Sequence, residues 1–132
     1  RDLHLSIRRQ RQMCIRDSPG IAGLSEGIRV YSIVNRFLEH SRIFRFHNKG
    51  NPEYYLGSAD LMKRNLNDRV ETVIMIQDQN LKGEIDNIIS VYEEDNCSAW
   101  DLKPDGQYVV RSPSGDDCSR NAQDIFIQQA SS

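Results

Sequence analysis

Residues 42–58 decide the fold of this chain, and they read Arg-Ile-Phe-Arg-Phe-His-Asn-Lys-Gly-Asn-Pro-Glu-Tyr-Tyr-Leu-Gly-Ser. Both ends of the stretch are rich in aromatic residues, and the first also contains the β-branched Ile43; such residues favour strands. Its centre, 48–52, combines Asn, Gly and Pro, the residues that favour turns. The sequence therefore predicts a β-hairpin with strands over 42–47 and 54–58.

The segments on either side of the hairpin predict further strands and a helix. A short strand is expected over 29–34, and a strand over 69–76 is apolar enough to be buried on both faces. Asp78 can cap the helix that follows. The core stripe of this helix has helical spacing and consists of Leu81, Ile85, Ile88, Ile89 and Tyr92.

The C-terminal part of the chain predicts smaller elements. Trp100 is expected to anchor this region, and a turn over 104–106 leads into a short strand over 108–110. A final helix is expected around 121–129, after a mobile loop over 111–119. These elements predict one small α/β domain.

Charge is distributed unevenly along the 132 residues, although the net charge is only -2. Residues 28–70 contain eight Lys or Arg and four Asp or Glu, whereas 71–132 contain four and twelve. A basic half on an acidic remainder favours a local anion site over a general nucleic-acid surface. An ordinary pattern of solvated charges is the alternative.

The cysteines and the apolar segments indicate the compartment. Cys14, Cys97 and Cys118 are odd in number and lack C-x-x-C or metal-ligand spacing, which favours a reducing compartment. The sequence contains no apolar run long enough to span a bilayer and no signal-peptide pattern. A cytoplasmic location is therefore expected, with association at a membrane surface left open.

Residues 1–18 are predicted to be a translated sequencing adapter, with the native chain beginning at residue 19. Residues 13–18, Met-Cys-Ile-Arg-Asp-Ser, are what ATG TGT ATA AGA GAC AGN encodes, the end of a transposase adapter. Residues 1–4 and 8–12 continue upstream in the same frame, around a variable index. The alternative is a natural basic arm that binds nucleic acid.

The candidate functional residues are His40, Arg42, Ser58, Arg64 and Asn65. His40 and Arg42 are two positions apart, so an extended chain points both side chains the same way. The hairpin can bring Ser58 close to His40 and Arg42, and the next turn can place Arg64 and Asn65 near them as well. Imidazole, guanidinium, hydroxyl and amide groups suit phosphate binding and transfer. Arg64 could instead be a solvated loop charge, and Asp60 is expected to bond to backbone N–H groups of its turn.

The spacing of these residues resembles the phospholipase D signature, H-x-K-x4-D followed by G-S-x-N. Two departures speak against a hydrolytic member of that family, because Arg42 replaces the lysine and His47 stands in the place of the aspartate. A phospholipase D-like phosphodiesterase is kept as one alternative function. A non-catalytic module that binds polyanions is the other.

A longer resemblance is to the C-terminal domain of polyphosphate kinase. It covers nearly everything from residue 19 onward and is carried by 19–30, 33–44, 47–48, 57–66 and the Trp100 to Tyr108 segment. The resemblance implies a phospholipase D-like sheet flanked by helices and reversible transfer of the terminal phosphate of ATP to polyphosphate. The phosphorylated histidine of the family lies in a preceding domain. A nucleotide-contacting arginine of the family falls at Gln12.

The resemblance also implies roles for the candidate residues. His40 matches the family's second essential histidine, a nucleotide contact or acid/base group, and Arg42 would clamp oxyanions. Ser58, Arg64 and Asn65 would be supporting contacts. ATP or ADP and polyphosphate are the expected partners, without nucleic acid. Mg²⁺ is expected in the full enzyme, with its ligands outside this chain, and the full enzyme is expected to be a homo-oligomer.

Overall fold

The computed structural model describes residues 19–60, 62–115 and 117–131. They form two compact units, one from 19–36 with 94–131 and the other over Phe37–Glu93. Among the described residues, no helix is long and apolar enough to cross a membrane. The segment 1–18 lies outside the described residues, so its adapter origin stays a prediction.

The unit Phe37–Glu93 is built on the expected hairpin. Strands β2, Arg42–Phe46, and β3, Glu53–Gly57, pair antiparallel with Arg42 opposite Gly57 and Phe46 opposite Glu53. A 3₁₀ turn over Asn48–Gly50 connects them, and Gly50 has a φ of 91°. Glycine adopts a positive φ of this size without steric cost, which explains why glycine occupies this position of the turn. The hairpin prediction is confirmed.

Strand β4, Val73–Ile76, pairs antiparallel with β3 and completes a sheet with the order β2-β3-β4. The prediction that 69–76 is a strand buried on both faces is wrong. Only Ile76 is buried, at 8% exposure, whereas Val73, Ile74 and Met75 are each about half exposed. Strand β4 contacts the core through Ile76, and the described residues provide no comparable cover for Val73, Ile74 and Met75.

Two helices accompany this sheet. The six-residue helix α1, Lys63–Asp68, occupies a region where the sequence predicted a turn. Helix α2, Gln79–Glu93, begins as predicted, because Asp78 Oδ1 accepts hydrogen bonds from the backbone N–H groups of Asn80 at 2.8 Å and Leu81 at 3.1 Å. These bonds satisfy N–H groups that have no partner within the helix.

The apolar stripe of α2 covers one face of the sheet. Ile85 is buried at 5% exposure and packs with Tyr54 and Ile76, with Ile43, Leu56 and Ile89 around them. The centre of the stripe therefore belongs to the core, as predicted. Leu81, at the first turn of the helix, is 47% exposed. The N-terminal end of the stripe thus lies beside open space.

The other unit contains a second antiparallel sheet. Its strands are β1, Tyr31–Ile33, β5, Ala99–Leu102, and β6, Tyr108–Val110, in the order β1-β5-β6. Strand β5 was not predicted. Trp100 lies in it with 36% of its surface exposed, whereas its neighbour Ala99 is fully buried. The predicted turn is present, with Gly106 at a φ of 85°, and helix α3 spans Ala122–Ser131.

The fully buried carboxylate of Asp95 joins the parts of this unit. It accepts hydrogen bonds from the backbone N–H groups of Cys97, Ser98 and Ala99 at 2.7–3.0 Å, and from the Ser98 hydroxyl at 2.6 Å. The Ala122 N–H, at the start of α3, donates at 2.8 Å. Burial by itself raises the pKa of Asp95, but these hydrogen bonds outweigh it and the net pKa is lowered.

Replacement of Asp95 with asparagine is expected to destabilise this unit by about 1–3 kcal/mol, because an amide turns an N–H₂ group toward buried donors. Urea unfolding of the chain, followed by fluorescence of its single tryptophan, Trp100 in β5, measures the change. Asp105→Asn is the matched control, since Asp105 is exposed in the turn and accepts a hydrogen bond from the Gln107 N–H at 3.0 Å.

The stabilisation by Asp95 should also depend on pH. Because the pKa is lower in the folded state, the contribution is complete above the ordinary Asp value of about 3.9 and is lost as pH falls through the native pKa. The difference in unfolding free energy between the wild type and Asp95→Asn should therefore shrink toward low pH. A constant difference would contradict the role given to the carboxylate.

Candidate functional site

A groove of about 380 Å³ lies in the unit Phe37–Glu93, with its lining drawn from the sheet, from α2 and from the residues just before β2. We call it the sheet–helix groove. Its floor and walls are largely apolar, and its polar side chains come from His40, Ser41, Arg42 and Glu84. The remaining lining residues are Ile43, Leu56, Gly57, Ile76, Leu81, Ile85 and Ile88.

The structure brings the two central candidates, His40 and Arg42, into the lining of this one groove. His40 is exposed and lies two residues before β2 begins. The preceding residue, Glu39, accepts a hydrogen bond from the hydroxyl of Tyr92, near the end of α2. This contact ties the segment that carries His40 to the helix on the other side of the groove.

Arg42 is held in place by two hydrogen bonds. Its Nε donates to a carboxylate oxygen of Asp60, and its Nη1 donates to the backbone carbonyl of Ser41 at 3.2 Å. The Arg42 side chain is 25% exposed and that of Asp60 30%. The sequence suggested only backbone partners for Asp60, so the bond to Arg42 is an addition that the turn pattern did not indicate.

Ser58 does not line the sheet–helix groove. Its hydroxyl donates to the carboxylate of Glu71 at 2.5 Å and accepts from the N–H of Thr72 at 3.2 Å. The Ser58 N–H also donates to the Thr72 carbonyl at 3.0 Å, which continues the β3–β4 pairing beyond the end of β3. The hydroxyl therefore lies on the β4 side, away from the position near His40 and Arg42 that the sequence predicted.

The remaining candidates, Arg64 and Asn65, lie in α1 and not in a turn. The side chain of Arg64 is outside the described residues, as is Gln12. Asn65 is buried at 4% exposure, and its Oδ1 has no hydrogen-bond partner within the described part of the chain. A buried polar atom of this kind costs about 1–3 kcal/mol. Asn65 does not contribute to the groove lining.

Glu84 is a groove residue that sequence reasoning missed. It lies on α2 together with Leu81, Ile85 and Ile88, and all four line the groove. Positions 81, 84, 85 and 88 share one face of a helix, so the signal was a carboxylate that interrupts an otherwise apolar stripe. The groove thus combines a cation, an imidazole and a carboxylate along mostly apolar walls.

The groove contains side chains of the types that can bind a small anion. The guanidinium of Arg42 is permanently charged and presents donors in a planar fork that matches phosphate oxygens. The imidazole of His40, which lines the same groove, can donate or accept hydrogen bonds through its ring nitrogens. Among the residues that the structure describes, no group of three His, Cys, Asp or Glu is placed to hold a metal ion.

Comparison with known proteins decides the family. The model of the polyphosphate kinase C-terminal domain 2 matches residues 3–123. The chain belongs to the polyphosphate kinase family. The match includes part of the segment 1–18, whose adapter origin remains a prediction.

Individual polyphosphate kinases resemble the chain closely. The polyphosphate kinase of Synechocystis sp. is 50% identical over 117 residues, which are 89% of this chain and 16% of that protein. Polyphosphate kinase 1 of Chlorobaculum tepidum is 47% identical over 112 residues, 84% of this chain and 16% of that protein. The chain therefore spans about a sixth of the length of the curated relatives it matches.

A solved structure supports the fold. The crystal structure of polyphosphate kinase from Porphyromonas gingivalis matches with a TM-score of 0.79 and 35% identity, over 86% of this chain and 17% of that one. The α/β class predicted from the sequence is confirmed, with two small antiparallel sheets accompanied by helices. The predicted membership in the polyphosphate kinase family is confirmed as well.

Proposed function

We propose that this chain is part of an ATP:polyphosphate phosphotransferase, which reversibly transfers the terminal phosphoryl group of ATP to inorganic polyphosphate. The observation that carries the proposal is the presence of His40 and Arg42 in the lining of one groove. Membership in the polyphosphate kinase family supports the class of reaction. The nucleophilic histidine of the reaction lies outside this chain.

The transfer has two steps, and the charge on the moving group is the main obstacle in each. The bond between the terminal phosphorus of ATP and its bridging oxygen breaks, ADP leaves, and a phosphorus–nitrogen bond to the nucleophilic histidine forms. A terminal oxygen of polyphosphate then attacks this phosphorus, a new phosphorus–oxygen bond forms, and the phosphorus–nitrogen bond breaks to return the free histidine. Preoriented cations are the largest source of stabilisation in such transfers.

The residues of the groove have distinct roles in these steps. Arg42 binds the oxygens of the moving phosphoryl group through its forked N–H groups. His40 contacts phosphate or holds a proton at an imidazole nitrogen, beside the departing or attacking oxygen. Apolar neighbours such as Ile43 and Leu56 form the rest of the groove beside these two side chains. Ser58, Arg64 and Asn65 are proposed as supporting contacts, although Ser58 and Asn65 do not line the groove, and the Ser58 hydroxyl must first leave Glu71.

Mg²⁺ is proposed as a partner of ATP in the full enzyme, where a divalent cation neutralises phosphate charge. The described residues offer no cluster suited to it, so the residues of this chain are assigned no metal-dependent step. ATP or ADP and polyphosphate are the proposed substrates. The full-length enzyme is proposed to be a cytoplasmic homo-oligomer.

Labelled ATP tests the proposal. Full-length protein that contains this chain is expected to incorporate the terminal phosphate of ATP into polyphosphate. The 132-residue chain alone is expected neither to extend polyphosphate nor to retain label, because the nucleophilic histidine lies elsewhere. Electrophoresis of the labelled products measures both results.

Two outcomes would contradict this proposal. Stable labelling of the chain alone at His40 would make His40 the nucleophile and reverse the division of roles. Hydrolysis of a generic phosphodiester by the full-length protein, without polyphosphate synthesis, would instead favour a phospholipase D-like phosphodiesterase.

A further inference from the structure

Asp60 is placed to control the orientation of Arg42. Its carboxylate accepts a hydrogen bond from Arg42 Nε, and both side chains are mostly shielded from water. We propose that Asp60 is a positioning residue for phosphoryl transfer, which fixes the guanidinium of Arg42 in the sheet–helix groove. The inference rests on the proposed function and extends it to a residue that does not itself line the groove.

The backbone around Asp60 places its carboxylate close to Arg42. Pairing of β2 with β3 sets Arg42 opposite Gly57, and Asp60 follows Gly57 by three residues. A side chain at Gly57 would meet Val73 Cγ2 at 3.0 Å and the Thr72 carbonyl at 3.2 Å, so β3 and β4 approach closely here. Ala59, buried at 5% exposure, fixes the chain just before Asp60. The burial of Ala59 therefore limits the positions that the Asp60 carboxylate can take.

The hydrogen bonds of Arg42 leave donors for a ligand. A guanidinium carries five N–H groups. Among the residues that the structure describes, Asp60 accepts from Nε and Ser41 from one N–H of Nη1, which leaves Nη2 and the second N–H of Nη1. These groups form the end of the fork that binds phosphate oxygens. Fixing Nε thus orients the fork without occupying it.

A competing role for Asp60 would change the affinity for polyanions in the opposite direction from a positioning role. A carboxylate beside a phosphate site could simply compete with phosphate for Arg42. Removal of a competitor would raise the affinity for polyanions, and removal of one negative charge acts in the same direction. Removal of a positioning group lowers kcat, because a misplacement of about 1 Å can reduce the rate by up to roughly 100-fold.

The test uses full-length protein with Asp60→Ala and Asp60→Glu, each alone and combined with Arg42→Ala. Asp60→Ala is expected to lower kcat by roughly 10–100-fold with a smaller change in KM for ATP. Asp60→Glu, which keeps a carboxylate, should restore part of the rate. In the Arg42→Ala background, Asp60→Ala should have no further effect. Asp68→Ala is the matched control, because Asp68 is an exposed aspartate in the same unit.

Equal loss of kcat with and without Arg42 would overturn the inference, because Asp60 would then act independently of the guanidinium. Calorimetric binding of tripolyphosphate to the same variants gives a readout that does not require catalysis. Weaker binding by Asp60→Ala, despite the lost negative charge, supports positioning, whereas tighter binding refutes it. If the wild type lacks polyphosphate synthesis, the proposed function fails, and the binding measurement still decides the role of Asp60.

Discussion

Replacement of His40 with alanine in the full-length protein is expected to lower the rate of polyphosphate synthesis by roughly 10²–10⁴-fold, the range typical of lost acid–base assistance. His40 is exposed, so the substitution leaves no cavity in a packed core. The loss should therefore come from the chemistry and not from unfolding. Initial rates with labelled ATP measure it, and circular dichroism confirms that the variant is folded.

His47→Ala is the matched control for this prediction. His47 is also an exposed histidine of the unit Phe37–Glu93, but it lies at the hairpin turn and does not line the sheet–helix groove. Its replacement should leave the rate within a few-fold of the wild type. Unchanged synthesis after His40→Ala, or an equal loss after His47→Ala, would count decisively against a role for His40 in transfer.

The parts of the fold that could be predicted are those that depend on near neighbours. The Asn-Lys-Gly-Asn-Pro turn over 48–52 and the Asp78 cap each act within a few residues, and both are present as expected. Strand β5 depends instead on pairing with β1 and β6 and on the bonds that Asp95 makes to Ala99 and Ala122. Contacts of this range leave no local pattern. The six-residue helix α1 is likewise too short to show a clear period.

The candidate site shows the same difference between contacts that are short and contacts that are long in sequence separation. The shared groove of His40 and Arg42 was predictable from their closeness in the sequence, since the consecutive residues 40–43 all line it. Alternation of side chains along a strand does not account for it, because Ser41 and Ile43 would then face away. The sequence placed the Ser58 hydroxyl beside His40 and Arg42, but in the structure it donates a hydrogen bond to Glu71, thirteen residues later. The partner of Asp60 was missed for a similar reason, since Arg42 lies eighteen residues earlier in the sequence. Polar pairs of this kind are decided by tertiary structure.

Replacement of Arg42 with alanine should lower kcat for polyphosphate synthesis by about 10²–10³-fold, the loss typical of removing one preorganised donor from a developing oxyanion. Arg42→Lys keeps the positive charge but loses both the fork and the Nε bond to Asp60. Its rate should therefore remain well below that of the wild type. Measurement of kcat and KM for ATP in the full-length variants distinguishes a lost orientation from a lost charge.

Arg69→Ala is the control for net charge, because Arg69 is an exposed arginine of the same unit and lies outside the groove. Both alanine variants remove one positive charge, so a general electrostatic effect would slow them equally and would weaken at higher salt. A specific clamp predicts a large loss only at position 42, and a loss that salt changes little. Full activity of Arg42→Lys would contradict the forked contact, since a point charge would then be sufficient.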